Sequence, residues 1–361
     1  MSDKTNTKPV NVLITCVGGK FMYDFITCLR SIENIKVIGV DADPEAVGQI
    51  ISDEFQVIPM ASSDPEAFVK ITLEIIRKYD IDIFIPSADE EVTATVDHYK
   101  LYEEQGVILP FGNPELVNTI TDKYNLLNIL KKYHLYEDDF YLVQNKDELD
   151  HKLEALGYPD QKIIAKPRSG RGSRGVFLFD GKLNKYTPFL EHRFCGSGTQ
   201  DVFIMEMENR DLPISDLVLM PYYEGAFYDV DIIAKDGELK DICIRLRQLK
   251  NQFSPTSTGH KICMKPEVIE YAAAVCEAVN ADGIFDIDII EVEGKMIAID
   301  AAFRFSGSVG ASRVAGHNMP AQLIRSLLGQ DIKPMNVKNH TILRPFWTMQ
   351  SIEADKENIA L

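Results

Sequence analysis

The chain reads as an α/β unit followed by an α+β region, together forming two or three compact bodies. Three observations carry this reading. Strands and helices alternate through the first hundred residues, the pattern of an open parallel sheet with helices on its faces. Beyond about residue 216 strands follow one another closely, as they do in antiparallel sheets. The segment 283–307 alternates Asp and Ile on either side of a Glu-Gly turn, which reads as a hairpin. At 361 residues the chain is also too long for one simple core.

Taken in order, "NVLITCV" (11–17) is an apolar strand ending in Gly18-Gly19, with an amphipathic helix over about 21–32. "KVIGVDADP" (36–44) is a second strand, a helix follows near 64–79, and "DIFIPSADEEV" (82–92) is a third strand with a polar end. "GVILPFGNP" (106–114) closes the series. Asp41, Asp43, Asp89 and Glu90 are expected in loops at the carboxyl edge, where such sheets bind ligands. The Gly18-Gly19 turn lacks the third glycine of a dinucleotide fingerprint and is read as a tight strand-to-helix turn. From Asn113, "NPELVNTITDKYNLLNILKKYHL" gives two helical pieces, with Lys123 early in the second. Strands are expected at 216–223, 226–234 and 239–247, a helix over 266–280, and a last helix opened by Asn318-Met-Pro320.

Composition limits the function. The formal charge of -17 argues against a nucleic-acid partner, which favours a broad basic surface. Apolar runs fall well short of the roughly 20 residues that span a bilayer. The polar start "MSDKTNTKPV" lacks an apolar signal core, so a cytoplasmic location is expected. The six cysteines are scattered without a C-x-x-C pair and read as reduced thiols rather than a zinc site or disulfide framework.

One loop breaks the acidic background. "KPRSGRGSRGV" (166–176) holds four cations and three glycines and joins two strand-like pieces. Glycines let successive backbone N–H groups close on an anion, and Lys166 on the incoming strand could add a point charge to a phosphate. A solvated hairpin loop is the alternative, and the hairpin at 283–307 decides between them. Asp286, Asp288, Asp300, Ala302 and Arg304 share parity. A three-residue turn over Glu293–Lys295 would set Asp288 opposite Asp300. Carboxylates about 5 Å apart repel unless a cation lies between them, and magnesium suits carboxylates plus phosphates. The alternative, a wet acidic face, sits poorly with the interleaved Ile287, Ile289, Ile297 and Ile299.

Together these pieces resemble the ATP-grasp superfamily, and within it the carbamoyl-phosphate-synthetase-like carboxylate–amine ligases. The resemblance runs from about Asn11 to Gly329, through "TDKYNLL", "IIAKPRSGRGSRGV", "LMPYYEGAFYDVDIIAKDGEL", "GIFDIDII" and "IAIDAAFRFSGS". It implies an ATP-grasp fold with a Rossmann-like N-terminal domain over 1–115 and a small lid subdomain over 116–215. A catalytic subdomain with the metal hairpin would cover 216–345, and a tail 346–361. Lys123 and Lys166 match the phosphate-contacting lysines. Ser169, Gly170, Gly172, Ser173, Arg174 and Gly175 match the lid over the triphosphate. Leu219, Met220, Pro221 and Tyr222 match the adenine hinge, and Asp231 matches a retained acid of the nucleotide site. Asp288 and Asp300 match the magnesium ligands, and Arg304 the arginine that, with Lys166, serves the transferring phosphoryl group.

The resemblance implies an enzyme that uses ATP and Mg2+ to join a small carboxylic acid to an amine through an acyl phosphate. Its partners would be small molecules, with no nucleic acid or membrane, and a homodimer is a candidate assembly. Three departures bear on this. Ala302 stands where the family has a ligating asparagine, Asp300 is a methylene shorter than the usual glutamate, and Phe227 replaces a frequent glutamate. Asp286, opposite Ala302 in the register above, is the candidate replacement ligand. The alternative function is a divergent, non-catalytic ATP-binding protein, a sensor or assembly subunit. Carbamoyl-phosphate chemistry on bicarbonate ranks below both, since it needs an ammonia source and usually a longer, duplicated chain. Arg245 and Arg247 share a strand face and either reach a substrate anion or are solvated. Glu224 is a candidate for the ribose hydroxyls, and His260 and His317 read as isolated. Specificity is expected in loops 181–212 and 248–262, which carry no readable motif.

Overall fold

The computed structural model describes residues 8–170, 174–189, 194–247, 259–346, 349 and 351. Among these residues the strands form three sheets. No helix among them is long and apolar enough to cross a membrane.

The first sheet is parallel and contains β1 (Val10–Ile14), β2 (Ile35–Asp41), β3 (Glu54–Val57) and β4 (Ile83–Ile85) in the order β3-β2-β1-β4. Val12, Leu13 and Ile14 are fully buried, as a strand covered on both faces requires. Strand order reverses at β1, so a crevice opens beyond the carboxyl ends of β1 and β4. Helices α1 (Met22–Leu29), α2 (Pro65–Tyr79), α3 (Asp89–Asp97) and α4 (Tyr99–Glu103) connect and follow these strands. Helix α2 has clear end signals: Asp64 caps Ala67 N, Pro65 opens the first turn, and left-handed Asp80 ends the last.

Two expectations fail here. The strand expected over 82–92 stops at Ile85, because Asp89 begins α3 instead of extending a loop. The Glu91 carboxylate accepts from Ala88 N at 3.0 Å and from Ser87 N at 3.1 Å, satisfying the exposed start of that helix. Segment 106–114 forms no named strand and bridges the sheet only between Ile108 and Ile83, with Pro110 lacking a donor for a longer ladder.

Helices α5 (Pro114–Thr121) and α6 (Lys123–Lys132) lead to the second sheet. Its strands are β5 (Tyr141–Val143), β6 (Ile163–Pro167), β7 (Phe177–Phe179), β8 (Thr187–Pro188), β9 (Gly196–Gly198) and β10 (Leu217–Pro221). Helices α7 (Leu149–Ala155) and α8 (Gln200–Asn209) accompany it. Phe203 of α8 packs on Phe177 and Phe179 with ring centroids 4.9 and 5.0 Å apart, an aromatic core for a small body. Strand β10 lies between β5 and β6, so a division at 215/216 does not separate the sheets.

The third sheet is antiparallel: β11 (Ala226–Lys235), β12 (Glu238–Arg247), β13 (His260–Ile262), β14 (Gly283–Val292), β15 (Lys295–Ala302) and β16 (Ile342–Leu343), in the order β15-β14-β11-β12-β13-β16. Helices α9 (Pro266–Val279) and α10 (Met319–Leu327) belong to this part of the chain, and α5 and α6 pack on β15. The hairpin turn is two residues, Glu293 and Gly294, both left-handed, so Val292 pairs with Lys295. That turn alone would place Asp288 opposite Ile299. A bulge shifts the register between Asp288 and Ile289, so Asp288 faces Asp300 and Asp286 faces Ala302. The pairing matches the sequence expectation; the turn length does not.

Candidate active site

The second and third sheets, with helix α3 of the first unit, line a cavity of about 700 Å³. Strand β6 and the loop after it supply Lys166, Ser169, Gly170 and Arg174; β10 and the next residue supply Met220, Pro221 and Tyr222. The third sheet and its extension supply Asp286, Asp288, Asp300 and Arg304, while α3 supplies Asp89, Thr93 and Asp97 from one face, four residues apart.

The two lysines are held by backbone contacts. Lys123 is the first residue of α6, whose start is fastened by Asp122: its carboxylate accepts from Tyr124 N and from Arg168 Nε at 2.6 Å. Lys123 Nζ donates to Gly170 O at 2.8 Å and lies 3.3 Å from Asp300 Oδ1. Lys166 Nζ donates at 3.0 Å to the carbonyl of Ile299, the extra residue at the bulge. Burial lowers the Lys166 ammonium to about 8, although Asp300 works against the shift.

The carboxylates carry opposing strains. Burial raises Asp288 to about 7, helped by Asp229 and Asp300 and resisted by Arg247 and Lys166. Burial and the neighbouring Asp231 also raise Asp286 well above the usual carboxylate range. Burial alone would raise Asp229 as well, but Arg247 and His260 hold it far below that range. Arg247 is central: Nε donates to Asp229 Oδ1 at 2.8 Å, Nη2 donates to Asp288 Oδ1 at 2.9 Å, and the guanidinium lies 3.6 Å from the Phe227 ring centroid.

Several sequence assignments change. Asp231 is fully buried and does not line the cavity; it accepts from Ser306 N at 2.6 Å and pairs with the equally buried Arg245. Its parity is that of the site, but Arg245 and Ser306 cover that end of the face. Arg245 therefore does not face the cavity, while Arg247 does. Gly175 also lies outside the lining: at φ 72 it forms a turn, and a Cβ there would meet Pro167 Cγ at 2.6 Å. Gly172 and Ser173, and most of the 248–262 loop, fall outside the described residues. The histidines are not isolated. His260 Nε2 is 2.7 Å from Asp229 Oδ2, and His317 Nε2 is 3.0 Å from Asp241 Oδ1. Burial opposes charge on His317, but its bond to Asp241 raises it to about 10. Glu224 pairs with Lys162 at 3.2 Å. The α3 wall escaped the sequence reading, although helical spacing from Asp89 would have marked it.

Among the described residues, no three His, Cys, Asp or Glu side chains form a ready metal cage. The opposed pair Asp288 and Asp300 nevertheless suits a hard cation that brings phosphate oxygens with it, and Asp286 Oδ1 is buried with no hydrogen-bond partner. The donor set fits magnesium on those terms.

Comparisons with known proteins agree with this architecture. Residues 213–349 match the family described as ATP-grasp in the biosynthetic pathway with Ter operon. The chain is 21% identical over 393 residues to the carbamoyl phosphate synthase large chain of Clostridium beijerinckii, covering 93% of this chain and 34% of that protein. It thus spans about a third of the length of this relative. A solved ADP complex of N5-carboxyaminoimidazole ribonucleotide synthetase superposes with a TM-score of 0.66 at 14% identity, covering 92% of this chain and 80% of the other. The biotin carboxylase domain dimer of Hydrogenobacter thermophilus 2-oxoglutarate carboxylase, with MgADP and bicarbonate, gives 0.69 at 13% identity, covering 93% and 73%. L-amino acid ligase from Bacillus licheniformis gives 0.63 at 13%, covering 90% and 75%. The chain has the ATP-grasp fold, and its residues 213–349 match an ATP-grasp family. Its sequence is similar to the carbamoyl phosphate synthase large chain.

Proposed function

We propose that the protein is an ATP-dependent ligase that joins a small carboxylic acid to an amine. One observation carries the reading: Asp288 and Asp300 oppose each other beside Lys123 and Lys166, in a cavity that also reaches the hinge at Met220–Tyr222. Lys123 and Lys166 would hold phosphate oxygens, Ser169, Gly170 and Arg174 would cover them, and the hinge would seat the base. Asp288 and Asp300 would hold magnesium, with Asp286 as third donor in place of the residue lost at Ala302. Magnesium, when bound, offsets phosphate charge.

Chemistry then divides into two balanced steps. A substrate carboxylate oxygen attacks the γ-phosphorus and ADP leaves, with Lys166 and Arg304 stabilising the transferring charge. The amine attacks the acyl carbonyl, phosphate leaves, and the amine gives up a proton. Exclusion of water protects the intermediate between these steps. Asp89, Thr93 and Asp97 make an acidic, hydroxyl-bearing wall, which suits an amine that arrives as its ammonium and gives up one proton before it attacks. A cytoplasmic location and a homodimer belong to the same reading. ADP release with pooled amino acids and amines tests it: release that requires both an acid and an amine supports the ligase.

A second reading has its own observation. Ala302 offers no ligand, and Arg247 lies over Phe227 while already neutralising Asp288. A nucleotide-binding protein without turnover would show ATP binding and no ADP across the same pools.

A further inference from the structure

Arg304 is already engaged. Its Nε donates to Asp89 Oδ1, its Nη2 lies 3.5 Å from Asp89 Oδ2, and its Nη1 donates to Asp286 Oδ2 at 3.3 Å. Asp89 belongs to the first turn of α3, so the pair ties the carboxyl edge of the first sheet to the segment after β15. The two side chains are only 18% and 20% exposed. A two-pronged arginine–carboxylate contact with little water around it is among the stronger polar contacts in proteins. A phosphoryl group reaching this guanidinium must therefore share it with Asp89 or displace Asp89.

We infer that Asp89 is a positioning residue that latches Arg304 onto the first sheet and competes for it with the terminal phosphoryl group of a bound nucleoside triphosphate. The inference rests on the nucleotide-binding reading above, but binding alone tests it, without any turnover. Asp286 cannot serve as the same latch, because it lies on the neighbouring strand of the hairpin, within the third sheet itself. Asp89 instead comes from a helix of the first unit, so this contact crosses between the first and third sheets' parts of the chain.

The experiment compares magnesium-supported affinities for ADP and for the non-hydrolysable triphosphate AMP-PNP by calorimetry. Asp89→Asn removes the charge and keeps the shape. It is expected to tighten AMP-PNP about tenfold, the scale of one charge-assisted hydrogen bond, with ADP little changed. The gain should vanish in Asp89→Asn combined with Arg304→Met. Equal shifts for both nucleotides, or a gain that survives Arg304→Met, would mean a general charge effect and overturn the latch. Wild-type protein that binds neither nucleotide overturns both the latch and the nucleotide-binding reading. Where the amide destabilises α3, Asp89→Ala predicts the same selective gain, since alanine is the best helix former within a helix.

Discussion

Lys166 ties the electrostatics of the site to a measurable pH dependence. Burial brings its ammonium from the ordinary 10.5 down to about 8, a gap worth about 3 kcal/mol in the empty protein. A nucleotide phosphate beside Lys166 favours the charged form and restores part of that gap. In the empty folded protein Lys166 loses its proton near pH 8, whereas with a phosphate bound beside it Lys166 would keep the proton to higher pH. ADP affinity should therefore be level below about pH 7.5 and fall by up to about tenfold per pH unit above 8. The sign for stability is the reverse: the unfolded chain holds this proton longer, so this lysine's contribution to stability rises with pH between about 8 and 10.5. Calorimetric titration of ADP from pH 7 to 9.5, without metal, reads the effect on binding. Lys166→Arg, which stays charged throughout, should flatten the curve. Parallel curves for the wild type and Lys166→Arg would refute the assignment of this lysine to the phosphates.

Other consequences are as direct. Asp231→Asn strands Arg245 in the interior and should cost about 3–5 kcal/mol by urea denaturation, while ADP affinity in the folded fraction stays unchanged. Ala302→Asn supplies a donor opposite Asp286 and should strengthen the magnesium-dependent part of ADP binding, by about tenfold for one added charge-assisted contact; calorimetry with and without magnesium reads it. Gly283→Ala places a Cβ 2.0 Å from Pro110 O at φ 93 and should cost about 3 kcal/mol or more, seen as a lower urea midpoint. Asp288 adds a rise in magnesium affinity as pH increases through about 7, because the ion binds the carboxylate and competes with its proton; Asp288→Asn should abolish that rise in a magnesium titration.

Much of the site was legible because its residues lie on regular elements. Alternating Asp and Ile placed Asp286, Asp288 and Asp300 on one face, and that face does line the cavity. The register agreed for a reason the sequence does not display: a shorter turn and a bulge at Ile299 offset each other. Parity also misled, since it selects a face but not the depth along it, and Asp231 lies where Arg245 and Ser306 close over the sheet. His260 and His317 seemed solitary because their partners are 31 and 76 residues away in the chain. Such pairings are set by strand order, which local patterns do not encode. Strand β3, "EFQV", is short and half-polar, as an edge strand is, and offered little periodic signal.

The proposed ligase reaction passes through an acyl phosphate formed in this cavity from ATP and a carboxylate. Trapping with hydroxylamine measures that most directly, because the reagent converts an acyl phosphate to a stable hydroxamate. With MgATP and pooled carboxylic acids, acid-dependent hydroxamate should form one for one with ADP, and both should be lost in Lys166→Met. ATP binding without hydroxamate or ADP across the pools, or hydroxamate accompanied by AMP, would contradict that reaction.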